Sequence, residues 1–229
     1  MIHNPNDNAP RGSALTIKIC GITNLDDARL AVQAGADALG FLFHRDSPRF
    51  VDPEVVRQIV AELPPFVLTV GVFVNEESQV VRKSMDRCGL MVAQLHGDET
   101  AAYCEALGRP VLKVLRLRDR RDFLAMAELR GRAMVRGFLV DASVESAYGG
   151  TGQLASWDLA AEASKVAAIV LAGGLTAQNV GDAVRKVQPY GVDVSSGVES
   201  SPGRKDAAKL RAFIAAAKVA SQESAVYTP

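Results

Sequence analysis

Residues 16–43 read TIKICGITNLDDARLAVQAGADALGFLF, and this stretch decides the fold class. Two short apolar runs at its ends, Thr16–Cys20 and Ala38–Phe43, predict buried strands. Between them, Leu25–Ala34 has apolar side chains at helical spacing and a charged opposite face. Strands that are joined through a helix pair in parallel. The stretch therefore predicts one strand–helix–strand unit of an α/β fold.

The same unit repeats along the chain. Further apolar runs bring the strand candidates to eight, the others being Phe66–Val74, Met91–His96, Val111–Leu117, Gly137–Asp141, Ala168–Ala172 and Gly191–Ser195. Their near-continuous hydrophobicity is typical of parallel strands that are covered on both faces. The count and spacing favour a single-domain (β/α)8 TIM barrel with its active site at the C-terminal face. An open doubly wound sheet is the alternative, because periodicity alone does not exclude it.

Three later stretches carry helix signals. Pro53–Leu63 follows Asp52 as a predicted N-cap and has proline at its first position, where no N–H is needed. Thr176 is the predicted N-cap of a helix over Thr176–Val187. The alanine-rich stretch Arg204–Val219 predicts the last helix.

The two ends of the chain lack this pattern. Asn, Pro and Gly crowd residues 1–14, which we expect to be a flexible extension, and we expect a flexible tail at residues 221–229. Residues 15–220 would then form the barrel as one domain, since no linker or charge run divides them. The start lacks the apolar core of a signal peptide, and no apolar run approaches the ~20 residues of a membrane span.

Composition limits the classes of partner. The chain has 229 residues, 48% of them hydrophobic and 23% charged, which excludes a disordered or collagen-like chain. Lys and Arg number 26 and Asp and Glu number 26, so no net field attracts nucleic acid or an acidic membrane. The three cysteines form no CxxC pair, which predicts reduced thiols and a cytoplasmic location.

The clearest chemical signal is a pair of glycine-rich turns. Gly173-Gly174 follows the seventh strand candidate, and Ser196-Gly197 follows the eighth. Glycine lets backbone N–H groups approach an anion closely, and a short extra helix after the last strand would point its N-terminus at that anion. Either turn alone is more simply a tight turn. Together, at the usual phosphate position of barrels, they predict a phosphate site.

Cys20 ends the first strand candidate and is a potential acid or base if its pKa is lowered. A buried cysteine is usually inert, and this is the interpretation for Cys88 and Cys104 in helical stretches. Alternation along the strand places Lys18 on the same face as Cys20. Because the first and last strands of a closed barrel are neighbours, we expect Lys18 and Asp193 to form an inward ion pair, with charged groups within ~6 Å.

Two further residues have both a simple and a functional interpretation. Asp141 closes the apolar strand GFLVD and is either a turn cap or, across the barrel mouth from Cys20, a general acid. Arg49, just after the second strand, is either a surface arginine or a bidentate clamp for a substrate carboxylate.

The segment GGTG at Gly149–Gly152 lies in a polar loop and predicts either a flexible lid or a surface loop. Its spacing matches neither a Walker nor a dinucleotide motif, so no nucleotide cofactor is expected. His3, His44 and His96 are too scattered along the chain for a metal triad, and no metal is expected.

Eight short motifs follow one another along the chain. They are KICGIT (Lys18–Thr23), GADALGFLF (Gly35–Phe43), SPRFV (Ser47–Val51), VGVFVN (Val70–Asn75), QLHGDE (Gln94–Glu99), YGGTG (Tyr148–Gly152), LAGGLTAQNV (Leu171–Val180) and VDVSSGVESSPGRKD (Val192–Asp206). Taken together, these motifs resemble those of the phosphoribosylanthranilate isomerase family of tryptophan biosynthesis. The likeness runs from Lys18 to the last helix, and the first and last motifs are quite specific in combination.

The resemblance implies a (β/α)8 barrel that performs an Amadori rearrangement of N-(5'-phosphoribosyl)anthranilate without cofactor or metal. It implies that Asp141 is the general acid for ring opening and that Cys20 is the general base at C2. It also implies that Arg49 binds the anthranilate side, that His96 and Asp193 contact substrate, and that the turns at Gly173-Gly174 and Ser196-Gly197 hold the phosphate. A monomer is expected, with a dimer as the alternative.

Two other functions stay open at this point. The histidine-pathway phosphoribosyl isomerase runs similar chemistry on a similar barrel, but it generally uses two aspartates, where this chain has Cys20, and its substrate carries two phosphates. A non-catalytic barrel that binds a phosphometabolite is the other alternative. The pairing of Cys20 with Asp141 speaks against it, since a binding protein needs neither an acid nor a base.

Overall fold

The computed structural model describes residues 15–142 and 156–226. Eight parallel strands pair in chain order, and the first also pairs with the last, so the sheet closes into a barrel. This closure confirms the (β/α)8 barrel and excludes the open doubly wound sheet. The strands are β1 (Thr16–Cys20), β2 (Ala38–Leu42), β3 (Leu68–Phe73), β4 (Val92–Leu95), β5 (Val111–Leu115), β6 (Val135–Asp141), β7 (Ile169–Ala172) and β8 (Gly191–Val194).

Helices alternate with the strands. Within the described residues they are α1 (Leu25–Ala34), α2 (Pro53–Ala61), α3 (Ser78–Cys88), α4 (Ala101–Leu107), α5 (Asp122–Arg130), α6 (Ser156–Ser164), α7 (Val180–Val187) and α8 (Ala207–Val226). Between β8 and α8 the chain makes a 3₁₀ turn at Ser196–Val198 and a small antiparallel hairpin of β9 (Glu199–Ser201) and β10 (Arg204–Lys205).

The inside of the barrel has its own apolar cluster, separate from the main core that joins the strands to the helices. It consists of Val114, Leu139 and Ala172, with Leu112 and Val170 packed against them. These positions alternate along β5, β6 and β7, so they identify the inward face of each strand. Polar residues in phase with them at the carboxyl ends of the strands therefore face the barrel mouth.

The first half of the chain follows the sequence prediction closely. The bounds of β1 and α1 are those predicted. Helix α2 begins at Pro53, and Asp52 caps it by accepting a hydrogen bond from the backbone N–H of Glu54 at 2.8 Å. It ends at Ala61.

Helix α7 corrects one prediction. The sequence predicts a helix from Thr176 with Thr176 as N-cap, whereas α7 begins at Val180. The reason is the side chain of Asn179, which accepts from the N–H of Thr176 at 2.8 Å and donates to the carbonyl of Gly174 at 3.0 Å. These bonds fold the intervening residues into a turn that holds the chain after Gly174.

Helix α8 corrects two more bounds. It begins at Ala207, because the predicted start at Arg204 is used by the hairpin, and the Asp206 carboxylate caps it through the N–H groups of Ala208 and Lys209, both at 2.9 Å. It continues to Val226, so residues 221–226 are helical where a flexible tail was expected. Gln222, Glu223 and Ala225 favour a helix, and Glu223 forms an ion pair with Arg185 of α7 at 2.9 Å, which together account for the extension.

Some predicted segments lie outside the residues that the structure describes. The extension at residues 1–14, the loop that holds GGTG (Gly149–Gly152) and residues 227–229 are not among the described residues. Among those that are, no helix has both the length and the apolar character that crossing a membrane requires.

Candidate active site

Strand β1 brings Lys18 and Cys20 into the barrel. Ile17 and Ile19 are fully buried in the outer core, so the residues between and after them face inward. Gly40 on β2 pairs with Cys20, and a Cβ built on Gly40 would lie 2.8 Å from Cys20 Sγ and 3.0 Å from Lys18 Nζ. The missing side chain at Gly40 thus makes the space in which the thiol and the ammonium group lie together.

Lys18 and Asp193 form the ion pair that the sequence predicts. They are register partners across β1 and β8, and Lys18 Nζ donates to Asp193 Oδ1 at 2.8 Å. Burial would lower the pKa of Lys18, but the Asp193 carboxylate and Cys20 outweigh it and raise that pKa, so the ammonium group stays charged. A buried ion pair loses much hydration energy, so this pair adds little to the free energy of unfolding. Its main effect is to keep a charged ammonium group beside Cys20.

Cys20 is only 6% exposed, and burial raises the pKa of its thiol, while the Lys18 ammonium acts in the opposite direction. Cys20 is predicted to act as a base if its pKa is lowered, whereas burial in the barrel raises it. Desolvation of the thiolate outweighs its attraction to Lys18. The other two cysteines, Cys88 and Cys104, are buried thiols on α3 and α4, as expected for inert residues.

Asp141 and His96 lie on other walls of the mouth. Asp141 ends β6, three strands from β1 around the barrel, and is half-buried in phase with the inward Leu139. His96 directly follows β4 and is also half-buried. Burial lowers the pKa of His96 although Asp141 acts in the opposite direction, and the charge of Arg116 adds to the lowering. His96 is therefore a neutral imidazole at neutral pH beside Asp141.

Arg49 lies next to the end of β1 and already has a protein partner. Its chain passes over Gly21, where a built Cβ would come within 2.8 Å of Arg49 Cδ. Its Nε and Nη2 grip the Glu199 carboxylate, with Nε–Oε1 at 3.0 Å and Nη2–Oε2 at 2.7 Å. The hydrogen bonds to Glu199 raise the pKa of Arg49. The bidentate edge predicted for substrate is thus occupied by Glu199, whereas Nη1 donates no hydrogen bond to the described residues.

The two glycine-rich turns touch each other, as their strand positions predict. Gly173 and Gly174 both have positive φ, 95° and 63°, which glycine adopts without strain. A Cβ built on Gly197 would lie 1.9 Å from the carbonyl oxygen of Leu175, so only glycine fits at this contact. In the described part of the chain, the N–H groups of Gly174, Ser196 and Gly197 donate to no acceptor. The expected short helix after β8 is the 3₁₀ turn that begins at Ser196.

Two polar side-chain atoms near the mouth are buried without a hydrogen-bond partner among the described residues, namely Gln94 Oε1 and Ser195 Oγ. Gln94 lies on β4 in phase with His96, and Ser195 Oγ would lie 2.9 Å from a Cβ built on Gly21. A buried polar atom without a partner costs roughly 1–3 kcal/mol, so these atoms are available to a bound ligand or water.

Three charged residues of this region are not among the predicted site residues. Arg116 was detectable, because it continues the inward alternation of Leu112 and Val114 one step past β5. Glu199 and Lys205 were not, because they lie in a hairpin whose course no periodicity reveals. Within residues 15–142 and 156–226, no three His, Cys, Asp or Glu side chains are grouped as a metal site requires.

A family model supports the resemblance noted from the motifs. The model for N-(5'-phosphoribosyl)anthranilate (PRA) isomerase matches residues 17–216. A curated relative from Pelobacter propionicus, named N-(5'-phosphoribosyl)anthranilate isomerase, is 54% identical over 210 residues, which cover 92% of this chain and 99% of the relative.

Solved structures show the same barrel. The PRA isomerase of Thermotoga maritima has a TM-score of 0.80 at 40% identity, covering 90% of this chain and 99% of that one. A PRA isomerase in complex with reduced 1-(o-carboxyphenylamino)-1-deoxyribulose 5-phosphate has a TM-score of 0.79 at 38% identity, with the same coverage.

Proposed function

The chain belongs to the family of N-(5'-phosphoribosyl)anthranilate isomerases, the intramolecular aldose–ketose isomerases of tryptophan biosynthesis, and we propose that Asp141 and Cys20 are its catalytic acid and base. Family membership sets aside the histidine-pathway isomerase and the non-catalytic barrel. The observation that carries the assignment of Cys20 is its place inside the barrel beside Lys18, since the two other thiols lie on helices.

Asp141 begins the reaction. Its carboxylic acid gives a proton to the ribose ring oxygen while the bond from C1 to that oxygen breaks, and the lone pair of the anthranilate nitrogen forms a double bond to C1. The result is an open-chain Schiff-base cation and an Asp141 carboxylate. The position of Asp141 on the inward face of β6 at the mouth supports this role.

Cys20 completes the rearrangement. Its thiolate takes the proton from C2, and the electron pair left behind forms the C1–C2 double bond and neutralises the nitrogen. The resulting enolamine then tautomerises to the ketone, as its C2 hydroxyl loses a proton and C1 gains one. Proton exchange with water returns Cys20 to the thiolate and Asp141 to the acid, so that both substrate and enzyme balance. Burial makes the Cys20 thiolate scarce but strongly basic, and a cation forming beside it shifts the thiol toward thiolate.

The remaining contacts hold the substrate between these groups. The N–H groups of Gly174, Ser196 and Gly197, which donate to no acceptor among the described residues, would bind the phosphate together with the adjoining turn at Gly173, as backbone amides do at helix N-termini. Asp193 would accept from a ribose hydroxyl through its second oxygen, and the neutral His96 would pack against the sugar or the ring. Anchoring both ends of a flexible open-chain sugar is what keeps C2 near Cys20.

The activity itself is simple to measure. Phosphoribosylanthranilate loses its fluorescence when it rearranges, so the purified chain is expected to remove the signal catalytically. No decay with enzyme and substrate at equal concentrations would contradict the proposed function.

Gly197→Ala tests the phosphate site. The added methyl group would meet the Leu175 carbonyl, so the two turns must move apart. We expect KM to rise about 10-fold or more, because hydrogen bonds to a charged group contribute roughly 1.5–3 kcal/mol. Inhibition by inorganic phosphate should weaken in parallel. Gly131→Ala is the control, since a Cβ there meets nothing within 4 Å. Unchanged phosphate inhibition in Gly197→Ala would contradict the assignment.

Arg49→Ala tests the proposed contact with the anthranilate carboxylate. Nη1 is the part of the guanidinium group that Glu199 leaves for substrate. We expect KM to rise by about 10-fold with kcat changed less, because the bond to a carboxylate is charge-assisted. Initial rates from the fluorescence assay give both constants. Arg49→Lys keeps the charge and should show a smaller rise, and an unchanged KM in Arg49→Ala would remove the clamp role.

The oligomeric state and the location stay predictions. We expect a monomer, with a dimer as the alternative, and light scattering on the purified chain decides between them. A cytoplasmic location is supported by three cysteines that form no disulfide.

A further inference from the structure

Lys205 has a buried ammonium group with all three of its protons in use. Its side chain is 0% exposed. Nζ donates to the Cys20 carbonyl at 2.6 Å, to the Glu199 carboxylate at 2.9 Å and to the Ser195 carbonyl at 3.3 Å. An ammonium group has three donors and no acceptor, so these contacts satisfy it fully.

These contacts lie on the seam where the barrel closes. The register between β1 and β8 ends at Ile19 and Val194, one residue before Cys20 and Ser195. Beyond that point the Lys205 ammonium group bridges the carbonyl groups of both strands, in place of a further backbone ladder bond. The backbone of the proposed base is thereby tied to the loop that carries the proposed phosphate site.

The same network reaches Arg49 and α1. Burial would raise the pKa of Glu199, but hydrogen bonds from Arg49 and Lys205 outweigh it and lower that pKa, so the carboxylate stays charged. The backbone N–H of Lys205 donates to Asp27 at 2.9 Å, which fixes the hairpin against α1. Moving Lys205 would therefore move Cys20 and Arg49 together.

We propose that Lys205 is a positioning residue for the isomerisation, which fixes the Cys20 backbone at the barrel seam and supplies positive charge behind the thiolate. The proposal rests on the assignment of Cys20 as the base. It predicts an effect on proton removal rather than on substrate affinity, because Lys205 lies behind the strand end and its ammonium protons are all used within the protein.

Lys205→Met is the test, because methionine keeps the length of the side chain and removes its charge and donors. We expect kcat to fall about 10- to 100-fold, as small displacements of reacting groups do, with KM changed less than about threefold. The midpoint of the pH dependence of kcat/KM should move to higher pH, since the thiolate loses a neighbouring cation.

Lys113→Met is the matched control. Lys113 is also buried and donates to two carbonyls near a strand end, Leu95 at 3.2 Å and Gly97 at 2.6 Å, and to the Glu99 carboxylate at 2.8 Å. It lies at β4 and β5, away from Cys20. Both variants should lose similar thermal stability, and only Lys205→Met should move the pH midpoint. A wild-type kcat and midpoint in Lys205→Met, or an equal shift in both variants, would overturn the proposal.

Lys205→Arg keeps the test decisive if Lys205→Met does not fold. A planar guanidinium fork cannot reproduce three donors from one nitrogen, so kcat should fall while the retained charge keeps the pH midpoint. A wild-type kcat in Lys205→Arg would overturn the positioning role. Cys20→Ser separates the two assignments. If Cys20→Ser retains turnover, Cys20 is not the base. If Cys20→Ser loses turnover while the Lys205 variants stay fully active, only the positioning role of Lys205 is refuted.

Discussion

Cys20→Ser is expected to lower kcat by about 10²–10⁴-fold, the usual contribution of a general base, with little change in KM. Serine has nearly the same shape as cysteine, so Lys18 and Gly40 keep their surroundings. A serine hydroxyl group, however, is far less acidic than a thiol and stays protonated near neutral pH. Steady-state rates from the fluorescence assay, with melting curves to confirm folding, give the comparison.

The role of Cys20 as a base also predicts how the rate changes with pH. Burial raises the pKa of Cys20, so its basic form is the minor one at neutral pH and grows as the pH rises. The ratio of kcat/KM in the wild type to that in Cys20→Ser should therefore increase with pH through neutrality, because the need for the Asp141 acid is common to both proteins and cancels. Cys88→Ser is the control, because a hydroxyl group can donate to the Pro53 carbonyl as the thiol does, at 3.2 Å. Near-wild-type turnover in Cys20→Ser would refute the base.

Asp141→Asn is expected to lower kcat by a similar factor, about 10²–10⁴-fold, for a different reason. The amide keeps the shape of the carboxyl group but has no acidic proton to give to the ring oxygen, so ring opening becomes slow. The substrate should still bind, and KM should change less than kcat. The same assay measures both constants.

The control for this variant is Asp86→Asn on α3, whose exposed side chain pairs with Arg109 on the helical surface. It should turn over at the wild-type rate. A melting temperature of Asp141→Asn close to that of the wild type would show that the loss lies in chemistry. Turnover within a few-fold of the wild type would assign ring opening to another group.

Much of this fold was predictable from the alternation of apolar and polar residues along the strands. Strand β1 has two different faces, with Ile17 and Ile19 on the outer one and Lys18 and Cys20 on the inner one. Its predicted ends match the structure. The ion pair between Lys18 and Asp193 followed from the same alternation together with closure of the barrel. Local patterns and one topological rule were sufficient for these features.

The features that the sequence did not predict depend on tertiary contacts that no local pattern encodes. The start of α7 depends on the side chain of Asn179, which binds back to Thr176 and Gly174. The partner of Arg49 is Glu199, which lies 150 positions away along the chain, and Lys205 reaches Cys20 across the seam. The direction of the Cys20 pKa shift likewise depended on how deeply the closed barrel buries the thiol.

The division of work between Asp141 and Cys20 is tested most directly by trapping the intermediate between them. Each variant, at a concentration equal to that of phosphoribosylanthranilate, is quenched with borodeuteride, which places deuterium at C1 of an open-chain Schiff base and at C2 of the ketone product. We predict C1 label above the enzyme-free level with Cys20→Ser, and none above it with Asp141→Asn. Equal C1 label with both variants would contradict the assignment of ring opening to Asp141 and of proton removal to Cys20.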